Sequence, residues 1–201
     1  MTSTPASIKD ISRAAPGFFE ATEALQKAAA GGDHAGDRLT AIVGGAIVET
    51  ALSAGLGRIT RTDLDPKEKL ELTNSLFKME GGILASMASR IQIAYAFGII
   101  GPITRRDLIN IGKIRNAFAH SIAEIHFDTP SVRDLCGELK LPTYEHFREP
   151  PRNAREAFVT TVAVTQGWLR LSLRLTSPTI ETASGTVRPD IEHKLQWSPM
   201  P

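Results

Sequence analysis

Through the middle of this 201-residue chain, apolar residues recur at three- and four-residue intervals, and nowhere do they alternate with polar ones over more than a few positions. The first spacing lines one face of a helix, whereas alternation would line one face of a strand. A chain that carries only the first pattern has to bury its apolar surface helix against helix. The low aromatic content, 6%, and the abundance of alanine agree with this, because alanine favours helices and aromatic residues favour strands.

The punctuation divides the chain. Residues 1–15, rich in Ser, Thr, Pro and Ala, read as a flexible N-terminal arm. A helical-bundle domain is expected over 16–176 and a polar, Pro-containing, flexible C-terminal tail over 177–201. Within the domain, a short helix is expected from Pro16 to the Gly31-Gly32 break. A long helix follows over 37–56, capped by Asp33 or Asp37. Leu39, Ile42, Val43, Ala46, Ile47 and Ala54 form its main stripe, and Val48, Leu52 and Leu56 a second apolar side. Asp65-Pro66-Lys67-Glu68 is a capping box with proline at the first helical position, so another short helix starts there. Leu84, Met87, Ile91 and Ala94 mark a second long helix, stopped by Gly98 and Gly101-Pro102. Thr104, with Asp107 three residues on, is expected to cap a third, which carries Leu108, Ile111, Ile114 and Phe118 and ends near His120-Ser121. A short helix over 131–139 and a long one over 153–175, with Phe158, Val162, Thr165, Trp168 and Leu169 on one stripe, complete the set. The expected fold is all-α: an up-and-down bundle of four main helices with short accessory helices.

Composition narrows the function. Lys and Arg number 23 against 22 Asp and Glu, a net charge of +1; a protein that coats DNA through bulk charge is excluded, while a local basic face is not. The one cysteine, Cys136, permits neither an intrachain disulfide nor a Cys-rich zinc site, and points to a reducing compartment. No basic stretch leads into an apolar one at the start, and no apolar run approaches the roughly 18 residues of a membrane span. A cytoplasmic protein with no membrane contact is expected. His34, His126, His146 and His193 show no metal-ligand spacing and read as loop or tail positions, so neither metal nor cofactor is expected. Cys136 has no histidine near it in sequence and is not read as a nucleophile.

The charged residues within the helical pattern are more informative. Taking 100° per residue with Leu108 at zero, Ile114, Phe118, Ile111 and Ile122 fill an arc from about 240° to 320°, and Arg115 lies at about 340°, which places it among core-facing side chains and not on a solvated face. Glu49 falls between Ile42 and Leu56 on its own helix, and Arg90 between Ile83 and Phe97. Glu49, Arg90 and Arg115 are therefore expected to form a structural ion-pair network, because an unpaired charge in a core costs several kcal/mol. Asn116 and His120 share a more polar face near Lys113. Arg105, Arg106, Lys113, Arg115 and His120 make the 104–120 helix basic, with Asp107 alone opposing. Arg105, Arg106 and Lys113 are either a guide for a nucleic-acid backbone or a solvated face.

Three short runs then stand out: Ser89-Arg90-Ile91-Gln92, Ile114-Arg115-Asn116-Ala117-Phe118-Ala119-His120, and Phe127-Asp128. Together with the stretch from Asp37-Arg38 to Glu49, they resemble the mannitol operon repressor family over roughly residues 37–139. The run from Arg115 to His120 also matches the Arg-x4-His motif of the related HEPN helical-bundle domains. The resemblance implies a HEPN-like fold, a homodimer, and a repressor or co-repressor without turnover that works through protein or nucleic-acid contacts. A helix-turn-helix is not recognisable in the sequence, so control of transcription would run through a partner protein. The resemblance also implies an alternative, since many HEPN domains are metal-independent endoribonucleases, often toxins. Arg115 would then hold a phosphate of RNA, His120 would act as general acid or base on the 2′-hydroxyl, and Asn116 would steady the imidazole. Side chains at i and i+5 diverge by about 140° on a regular helix. Such a site would need the helix to end at Ala119, or a two-fold dimer that joins Arg115 of one copy to His120 of the other. Against both stands a structural role, with Arg115 paired to an acid and His120 capping the helix C-terminus.

Overall fold

The computed structural model describes residues 18–31, 33–58, 63–78, 81–143 and 150–175; the expected arm at 1–15 and tail at 177–201 lie outside them. Every regular element among the described residues is helical: α1 (Phe18–Ala29), α2 (His34–Arg58), α3 (Pro66–Phe77), α4 (Met87–Ala96), α5 (Pro102–His120), α6 (Pro130–Gly137), a 3-10 turn (Leu141–Thr143) and α7 (Ala154–Leu175). The boundaries follow local chemistry. Asp33 Oδ1 accepts from the Gly36 N–H at 2.8 Å to cap α2. Asp65 accepts from the Lys67 and Glu68 N–H groups, and Glu68 accepts from the Asp65 N–H, which completes the capping box of α3. Ser86 caps α4, which is shorter than its apolar pattern, and Gly98 terminates it in the left-handed region at φ 68°.

The start of α5 corrects the sequence reading. The helix begins at Pro102 behind Gly101, with no side-chain cap, because the glycine at the N-cap has no side chain that could accept; proline suits the first helical position. Thr104 and Asp107 are buried within the helix rather than placed at its mouth. Asp107 Oδ2 instead accepts from the backbone N–H groups of Lys140 and Leu141, at 2.9 and 2.7 Å, and so anchors the chain after α6 onto α5. Burial outweighs these bonds and the nearby Arg106 and Lys140 charges, pushing the Asp107 carboxyl above the ordinary value of 3.8. The folded state thus binds this proton more tightly than the unfolded chain does. The stabilising contribution is complete below pH 3.8 and is lost as pH rises through the raised folded-state value. Asp107→Asn, which carries no titrating proton, should show a shallower fall in urea midpoint over that window than the wild type. Parallel pH profiles of the two proteins would refute the assignment.

The centre of the fold is α2, which packs against α1, α4, α5 and α7. Its buried face keeps only Ile47 and, half-buried, Val43 of the expected main stripe. Leu39 is 51% exposed, Ile42 38% exposed, and Ala46 and Ala54 are also on the surface. Ile47 of that stripe and the expected second side, Val48, Leu52 and Leu56, face the core, together with Ala41 and Ala51. The glycines explain the rotation. A Cβ at Gly44 would stand 2.6 Å from the Phe158 ring of α7, and one at Gly45 would stand 2.6 Å from Cγ of Arg115 on α5. Two large side chains lie directly on the α2 backbone there, so the face chosen for burial is the one without bulk. Ile122, expected in the α5 core arc, is fully exposed, because α5 ends at His120 and the helical angle no longer applies beyond it.

Phe127 in the loop after α5 stacks between Phe118 of α5 and Phe158 of α7, with centroid distances of 5.1 and 5.3 Å. Contrary to the expectation of no spanning run, α2 is, by length and composition, one helix among the described residues that could cross a membrane. Over half of that stretch is buried inside the fold, and a helix with four packing neighbours is apolar on several sides for that reason. Cys136 is buried, and burial pushes its thiol up to about 12, which leaves it unreactive as a nucleophile.

Candidate functional site

The charged residues singled out from sequence meet where α2, α4 and α5 pack. Glu49, on α2, reaches across to α4, where Arg90 Nη1 donates to Glu49 Oε1 at 2.7 Å. Arg90 is buried, although Ile83 and Phe97, its neighbours on the helical wheel, are both exposed. It is tolerated because its other donors are satisfied: Nε donates to the Leu84 carbonyl at 2.7 Å and Nη2 to the Ala85 carbonyl at 3.4 Å. Its guanidinium also lies 5.8 Å from the Phe77 ring centroid. Those two carbonyls stand on the turn just before α4, so the segment leading into the helix orients its arginine.

Arg115 of α5 is the second cation on Glu49. Its Nη2 lies 4.0 Å from Glu49 Oε2, and its side chain is 38% exposed, so it rests at the edge of the core rather than within it. Gly45 makes room for the stem of Arg115, and the head donates from Nη1 to Asn116 Oδ1 at 3.0 Å. Asn116 therefore holds the arginine, not the imidazole assigned to it from sequence. His120 is exposed at the last position of α5, with no hydrogen bond or ion pair among the described residues. The helix runs through His120 instead of ending at Ala119, so within one chain Arg115 and His120 leave it in widely different directions. Just beyond, Arg38 Nη2 donates to the Ser121 carbonyl at 2.8 Å and pins the exit of α5 to α2.

The rest of the basic helix is partly committed. Arg105 donates to Gln92 Oε1 at 3.1 Å and lies 4.9 Å over the Tyr95 ring. Arg106 donates to the Glu138 carbonyl at 3.1 Å, while Lys113 is exposed. Two of the three cations proposed for a nucleic-acid backbone thus already have protein partners. Known proteins offer no further guide. No family, no curated protein and no solved structure matches this chain.

A second cluster, which the sequence reading did not assemble, lies at the other end of α2. Asp37, 6% exposed, pairs through Oδ1 with Nη2 and Nε of Arg155 on α7, the latter at 2.7 Å. Its Oδ2 accepts from the Phe127 N–H at 3.1 Å and lies 3.3 Å from His126 Nδ1. Arg155 also donates to the carbonyls of Ala29 and Gly31. His34 Nδ1 contacts the Ile125 carbonyl at 2.8 Å, and the His34 and His126 rings are 5.3 Å apart. One buried carboxylate therefore ties together the end of α1, the start of α2, the loop after α5 and the start of α7. In sequence only Asp37 hinted at this, as an acid beginning an otherwise apolar helix. Among the described residues, no group of three or more His, Cys, Asp or Glu side chains converges as metal ligands.

Proposed function

We propose that this protein is a regulatory factor of the mannitol-repressor kind, with its main helices in a HEPN-like four-helix bundle. It acts in the cytoplasm through contacts with a protein or nucleic-acid partner and without catalytic turnover. The observation that carries this reading is the setting of Arg115: its guanidinium is turned toward Glu49 and Asn116, and α5 stays helical through His120. An arginine held this way braces two helices and is not presented with a general base beside it. A second reading, a metal-independent endoribonuclease, draws support from the exposure of His120 and the 38% exposure of Arg115. Both readings use a homodimer. Leu39 and Ile42 of α2, and Ala119 and Ile122 at the end of α5, are exposed apolar residues available to a second copy.

Incubating the protein with single-stranded RNA in EDTA separates the readings. The regulatory reading expects no cleavage above background, and no difference between wild type and His120→Ala. Cleavage that falls by about 10²-fold or more in His120→Ala would establish the nuclease instead. Light scattering tests the dimer: Ala119→Arg should be folded and monomeric, and a variant that stays fully dimeric would place the contact elsewhere.

A further inference from the structure

The two histidines beside Asp37 have a property that their role as loop anchors does not need. The partner of His34 Nδ1 is the Ile125 carbonyl, which can only accept, so Nδ1 carries a proton and, in the neutral ring, Nε2 carries the lone pair. His126 is oriented in the same sense, because its Nδ1 faces the Asp37 carboxylate at 3.3 Å. Neither Nε2 has a partner among the described residues. The usual outer shell of a metal-binding histidine is of this kind: one ring nitrogen donates to a carbonyl or carboxylate, and the other stays free to ligate. The ring centroids are 5.3 Å apart with the planes at 70°. Two imidazoles that share one ion, with bonds of about 2.1 Å and a near-tetrahedral angle, have centroids about 5 Å apart.

We propose that His34 and His126 form an open two-histidine site for a divalent transition metal of the zinc class, with solvent filling the remaining coordination positions. Asp37 is not a ligand, because both of its oxygens are engaged by Arg155, the Phe127 N–H and His126. Its part is to orient His126, with Arg155 holding the carboxylate in turn. The side chain of His126 is 45% exposed, so an ion can reach the site from solvent. A site with two protein ligands binds reversibly, and a bound ion would fasten the loop after α5 to the first turn of α2.

Calorimetric titration of the full chain with zinc chloride tests this. The expected result is one saturable site per chain, weakened more than about 10-fold by His34→Ala and by His126→Ala separately. Zinc should also raise the melting temperature of the wild type and not that of the double variant. Should either variant unfold, the wild type alone decides the matter through its histidine side-chain ¹⁵N resonances. Zinc should move the Nε2 signals of His34 and His126 and leave those of His120, His146 and His193 in place. Absence of saturable binding, a double variant that binds as tightly as wild type, or shifts confined to the other histidines would each overturn the site.

Discussion

Alanine at Asp37 should lower the unfolding free energy by roughly 3–5 kcal/mol, the cost of removing one partner from a buried ion pair. The carboxylate is 6% exposed and serves Arg155, His126 and the Phe127 N–H at once. Without it, the guanidinium of Arg155 keeps only the carbonyls of Ala29 and Gly31, and the Phe127 N–H is left unpaired in the core. The damage should spread, because Phe127 joins the aromatic rings of α5 and α7. Urea denaturation measures the loss. Asp37→Asn should recover a part of it, since an amide oxygen can still accept from Phe127. If Asp37→Ala unfolds at the wild-type urea concentration, this cluster does not hold the helix ends together.

The second large effect is expected at Glu49. Glu49→Ala should cost about 3 kcal/mol, the lower end of the range for a broken buried pair. The Glu49 side chain is 24% exposed, and Arg90 keeps the Leu84 and Ala85 carbonyls when the carboxylate is gone. Arg115→Ala should cost under about 1 kcal/mol, because that pair is 4.0 Å long and its arginine is 38% exposed. The contrast between the two arginines is the sharp part of the prediction. Thermal melts that show Glu49→Ala as stable as wild type, or Arg115→Ala as the worse of the two, would refute it. A double change of Glu49→Leu with Arg90→Met should recover most of the loss, because a packed apolar pair needs no charge compensation.

The elements themselves were readable from the residues, because capping and periodicity are local. Asp65 and Glu68 write their capping box within four residues, and Gly98 places a stop on chemistry that needs no neighbour. The grouping of Glu49, Arg90 and Arg115 was also legible, since a charge within an apolar arc calls for a partner. The division of Glu49 between the two arginines was not. It depends on the carbonyls of Leu84 and Ala85, which fold back on Arg90 and make it the buried one.

The choice between the two apolar sides of α2 was decided by packing. Helical periodicity reports where apolar bulk lies, yet α7 and α5 approach along Gly44 and Gly45, where bulk is missing, and this turns Leu39 and Ile42 outward. The same holds for the start of α5, where the capping pattern of Thr104 and Asp107 gave way because Asp107 has a distant use on the N–H groups of Lys140 and Leu141. The histidine pair is the plainest case. His34 and His126 carry no spacing signal, and only the docking of the loop after α5 onto the first turn of α2 sets their rings 5.3 Å apart. Sequence therefore determined the helices and most of their ends, because those depend on groups a few residues apart. Tertiary structure decided the buried faces and the two polar clusters, because those depend on which distant surfaces come close enough to exclude water.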